Sequence, residues 1–128
     1  MITAYLQSYT TQYEGEEIEI NYAIFENDNL IAKNQDWLNY IKPTLTGLEA
    51  VLALLKKLDA YKLEEINIII NDPVLYEQIN GTSTTRNSEV IKLVRRVFAK
   101  LTKYKTEIQF TDASIDEEKR KKFYEILG

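Results

Sequence analysis

The 128-residue chain predicts an α/β domain, a mixed five-stranded sheet with helices on both faces, in the order β-β-β-α-β-α-α-β-α. Three observations carry this expectation. Ile66-Asn67-Ile68-Ile69-Ile70 is β-branched and almost wholly apolar, which suits a strand covered on both faces. Just before it, Leu48, Val51, Leu52, Leu55 and Leu58 recur at helical spacing, so one stripe of that segment faces a core. Near the N-terminus, Glu17 to Phe25 alternates strictly, with Ile18, Ile20, Tyr22 and Ile24 pointing one way. Strict alternation marks a strand with one apolar face.

The elements follow in order. Ile2 to Tyr9 reads as a strand, and Glu14-Gly15-Glu16 as a turn before the alternating strand. Glu26-Asn27-Asp28-Asn29 supplies residues that tolerate left-handed backbone, and Leu30 to Lys33 resumes as a third strand. Asn34 to Pro43 is a connector carrying Trp37 and Tyr40. A helix begins near Thr46 and closes over Asp59 to Glu65. After the isoleucine strand, Val74 to Asn80 makes a short helix ended by Gly81. Asn87 or Ser88 caps the next helix, whose stripe is Val90, Val94, Val97, Phe98 and Leu101. Glu107 to Thr111 is a short fifth strand. Ser114-Ile115-Asp116-Glu117 matches a capping box and opens a last helix with acids first and bases later.

Composition bounds the chemistry. The length favours one domain over residues 1–128. There is no cysteine, which removes disulfides and thiolate-metal sites and favours an intracellular, cytoplasmic address. There is no histidine, so Ser-His and Cys-His nucleophile systems are excluded. Catalysis would have to rest on carboxylates, lysine, tyrosine or a hard metal held by oxygens. A net charge of −4 argues weakly against broad electrostatic binding of nucleic acid. No apolar run reaches bilayer length, so a membrane partner is not expected.

Thr44-Leu45-Thr46-Gly47-Leu48-Glu49 opening a Leu/Ala-rich helix, then Ile68-Ile69-Ile70-Asn71-Asp72 followed by Val74-Leu75-Tyr76, resembles the ribonuclease H-like fold. The resemblance implies that Glu49 and Asp72 stand where ribonucleases H hold magnesium ions for phosphodiester hydrolysis. Two such ions about 4 Å apart clamp the attacking water and the leaving oxygen, and hard cations of this kind need several carboxylates. The family's first acid would fall on Gln7, and no Asp or Glu occurs before Glu14. For the last acid, Asp112 and Asp116 are candidates by position, with Asp116 preferred.

Each acid also has a plain structural role. Glu49 fits a capping box with Thr46, Asp72 before Pro73 fits a helix N-cap, and Asp116 sits in a first helical turn. Arg95, Arg96, Lys100 and Lys103 make one helix and its exit basic, suited to nucleic acid or simply to solvent. The expectation is a divergent ribonuclease H-like protein, catalytically impaired, that binds nucleic acid (an RNA–DNA hybrid, for instance) or a protein. The alternatives are a weak magnesium-dependent nuclease using Glu49, Asp72 and Asp116, and an acidic protein-interaction module.

Overall fold

A computed structural model describes residues 1–9 and 13–128. Five strands form one sheet: β1 (Ile2–Tyr9), β2 (Ile18–Glu26), β3 (Asn29–Leu38), β4 (Ile66–Ile70) and β5 (Gln109–Asp112). Four α-helices complete it: α1 (Pro43–Leu58), α2 (Pro73–Asn80), α3 (Ser88–Leu101) and α4 (Glu117–Leu127). Single 3-10 turns follow α1 and β5. The strand order is β3-β2-β1-β4-β5. β1 pairs antiparallel with β2 and parallel with β4, and β4 pairs parallel with β5.

Alternation along the strands splits the core in two. Ile2, Ala4 and Leu6 of β1 join Ile66, Ile68 and Ile70 of β4 beneath Leu48, Val51 and Leu55 of α1 and Val90 and Val97 of α3. The opposite face carries Tyr5, Ala23 and Ile69, covered by Phe123 and Leu127 of α4. Tyr5 meets Phe25 edge-on at 5.7 Å between ring centroids, and Phe123 at 6.3 Å. β4 is therefore interior and covered on both sides, as its composition requires.

Several boundaries differ from the sequence expectation. β3 runs on to Leu38, pairing Leu38 with Ile18 and Trp37 with Glu19, because an edge strand with one solvent side needs little apolar content. It carries an irregularity beside Ile24 and Phe25 of β2, of the kind that twists an edge away from stray partners. α1 begins at Pro43 rather than near Thr46, since proline is well suited to the first helical position. Thr46 is thus inside the helix, where its buried hydroxyl donates to the Lys42 carbonyl at 3.3 Å. The capping box with Glu49 does not form, and Lys42 precedes the helix without a side-chain cap bond. Asp116, rather than Ser114, caps α4.

Candidate functional site

The parallel register of β1 and β4 runs from Ile2 opposite Ile66 to Tyr5 opposite Ile69. Gln7 lies two residues further along β1, and Asn71 is the first residue past the end of β4. Both fall on the α4 face, because they share the parity of Tyr5 and Ile69. Asn71 Nδ2 donates to the Tyr124 hydroxyl at 3.1 Å. The Tyr9 hydroxyl donates to Gln7 Oε1, also at 3.1 Å. Across β2, Gln7 lies opposite Asn21, whose amide donates to Glu19 Oε1 at 3.3 Å. Gln35 of β3 donates to the same oxygen. Two amides, Gln7 and Asn71, each bonded to a tyrosine hydroxyl, therefore stand where the parallel strands end.

The carboxylates singled out from the sequence lie elsewhere or are engaged. Asp72 is the N-cap of α2, accepting from the Leu75 amide at 3.1 Å, and Pro73 occupies the first helical position. Asp112, level with Ile70 at the end of β5, is 4% exposed and accepts from the Ser114 amide at 2.9 Å. Asp116 accepts from the amides of Glu118 and Lys119 at 2.9 and 3.4 Å. Glu49 turns away from α2. A Cβ on Gly47 would meet Leu75 at 3.2 Å, so that side of α1 faces α2. Two residues further on, about 200° round the helix, Glu49 Oε1 lies 3.8 Å from Arg96 Nη1 of α3. Among the described residues no group of three or more acids is close enough together to hold a metal ion.

The basic residues divide between two grooves. Arg95 lines one with Gln78 of α2 and with Ile91, Val94 and Phe98 of its own helix. Arg96 and Lys100 line another, with Glu49 and Lys56 of α1 and Tyr40 of the segment before it. Lys103 is exposed in the turn after α3, its amide bonded to the Lys100 carbonyl at 3.1 Å.

Asn71, Tyr124, Tyr40 and Lys56 escape a reading of the sequence alone. Asn71 has a signal: Pro73 at a first helical position makes Asp72 the cap, which leaves Asn71 as the one residue between the strand and the cap. Tyr124 follows from helical phase once Phe123 is known to be buried. Tyr40 and Lys56 have none, because they meet only across the tertiary fold.

This strand order, with three helices on one face and one on the other, is the ribonuclease H-like fold, and solved structures with the same fold match nearly the whole chain. RNase H1 from the halophilic archaeon Halobacterium salinarum superposes with a TM-score of 0.78 at 12% identity, over 98% of this chain and 93% of that one. LC11-RNase H1, isolated from compost and solved in complex with an RNA/DNA hybrid, gives 0.78 at 15% identity, over 99% and 94%. The N-terminal RNase H domain of Rv2228c from Mycobacterium tuberculosis gives 0.74 at 9%, over 98% and 95%. The sequence matches no family profile and no curated protein. No helix among the described residues is long and apolar enough to cross a membrane.

Proposed function

We propose that this chain is a ribonuclease H-like binding module that has given up hydrolysis. One observation carries the reading: Gln7 near the end of β1 and Asn71 just past β4 are amides, each hydrogen-bonded to a tyrosine hydroxyl. A magnesium pair in this fold draws on charged oxygens, and each carboxylate replaced by an amide removes a full charge from the cage around a dication. The donors at these strand ends do not fit such ions. Hydrolysis by Glu49, Asp72 and Asp116 would draw on carboxylates already engaged: Asp72 and Asp116 each give one oxygen to a helix cap worth about 1 kcal/mol, and Glu49 lies against Arg96. The partner best supported is nucleic acid, from the exposed cations of α3 and from the hybrid held by LC11-RNase H1. A protein partner, suited to the acidic balance, is the alternative.

Manganese titrated by calorimetry into the natural protein should give no binding heat, and an RNA–DNA hybrid should remain uncut. Gln7→Asp, and Gln7→Asp combined with Asn71→Asp, should each gain manganese affinity, the pair more than the single change. Tight manganese binding or hybrid cleavage by the natural protein would overturn the reading.

A further inference from the structure

We infer that the groove between α1, α3 and the segment joining β3 to α1 takes an unpaired base and its phosphates from a single-stranded nucleic acid. This rests on the proposed nucleic-acid role and assigns it a place and a strand state. The groove has a volume of about 350 Å³. Two helical stripes face each other across it. Glu49, Leu52, Ala53 and Lys56 are spaced for one face of α1, and Arg96 and Lys100 for one face of α3. Leu52, Ala53, Leu38 and Ile41 give an apolar floor, and half-buried Tyr40 lines one side.

The charges at the rim are available to a ligand. Neighbouring cations are already paired: Lys42 with Glu89 at 2.8 Å and Lys57 with Asp36 at 3.6 Å. The Glu89 hydrogen bond and charge raise the Lys42 pKa, so that ammonium is already engaged. Lys56 and Lys100 make no ion pair with any described residue, and Arg96 has only the looser Glu49 contact at 3.8 Å. Three cations thus face one acid, in a chain whose net charge is −4. Such local reversal attracts an anion. An apolar floor beside an aromatic ring suits a planar base as well, and a nucleotide supplies base and phosphate together. A duplex hides its base faces, whereas a single strand offers them for stacking. The groove lies on the α1–α3 side of the sheet and the Gln7–Asn71 pair on the α4 side, so the two places are separable by mutation.

Fluorescence anisotropy with a labelled oligopyrimidine single strand, an RNA–DNA hybrid and a DNA duplex of equal length, over a salt series, tests this. The single strand should bind most tightly. Replacing Lys56 and Lys100 by Gln should lower the slope of log K against log salt by about 1.4, at about 0.7 per lost phosphate contact on a single strand. Tyr40→Leu should weaken binding by about 5- to 150-fold, the range of one lost base stack, and leave the salt slope unchanged. Lys119→Gln with Lys121→Gln, the same charge change on the exposed face of α4, should alter neither. Equal losses from the α4 control, or single-strand binding indifferent to the groove variants, would overturn the groove assignment and leave the proposed function standing. No binding of any nucleic acid at low salt would remove the groove and the nucleic-acid role together and favour a protein partner. The manganese titration is unaffected by either result.

Discussion

Asp72 shows how one residue supports two readings that only geometry separates. Its carboxylate sits at the C-terminal end of an interior parallel strand, where open α/β sheets keep their ligands, yet it caps α2 through the Leu75 amide. Asp72→Asn keeps an oxygen acceptor and should leave the urea midpoint almost unchanged. Asp72→Ala should cost about 1 kcal/mol, a typical N-cap loss. Neither change should alter the manganese affinity that Gln7→Asp combined with Asn71→Asp gains. Loss of that affinity on adding Asp72→Asn, with stability intact, would mean that Asp72 serves a metal. The lack of any acid before Glu14 is legible from sequence. Asn71 is hidden behind Asp72, because the cap at Asp72 draws attention away from the residue that reaches Tyr124.

At the scale of elements, patterning finds the five strands and four helices of the described residues, through buried apolar periodicity in β1, β2, β4 and the helices and through turn residues around the edge strands. It fails at ends, where burial no longer decides. Asn34-Gln35-Asp36 looks like a connector, but β2 supplies its hydrogen bonds and β3 continues through it. Periodicity puts Val90, Val94, Val97, Phe98 and Leu101 on the α3 stripe, yet Phe98 is 39% exposed and Leu93 is buried in its stead. That exchange follows from α3 crossing α1, because contact with a neighbouring helix shifts which residues of a broad stripe are covered. α3 is capped by Asn87, whose side chain accepts from the amides of Glu89 and Val90 at 3.0 and 3.3 Å. Asn87→Ala should therefore lower stability by about 1 kcal/mol, and Asn87→Asp should be nearly neutral. Thermal unfolding of both variants checks this, and equal losses would show that the cap bond contributes nothing.

For the molecule as a whole, the absence of histidine and cysteine shapes its response to pH. These are the side chains whose ordinary pKa values fall between about 6 and 9. The urea midpoint should therefore be nearly level across that range. Above it Tyr104 comes into play. It joins the end of α3 to α1, its hydroxyl donating to the Leu55 carbonyl at 3.0 Å and to Asp59 Oδ1 at 3.4 Å. Burial first, and then the Asp59 carboxylate, push its pKa from 10.0 up to about 12. The folded state holds this proton more tightly than the unfolded chain does. Its stabilising contribution is complete below about pH 10, where an unfolded tyrosine begins to ionise, and is lost as pH climbs toward 12. Tyr104→Phe should be less stable than the natural protein at neutral pH by about 1 kcal/mol, for one hydrogen bond lost in a buried setting. The lysines titrate in both proteins and cancel in the comparison. The gap between the two urea midpoints should hold steady to about pH 9 and narrow from pH 10.0 toward 12. A gap that stayed constant through that window would mean that Tyr104 ionises as readily folded as unfolded, and that the contact between α3 and α1 is open to water.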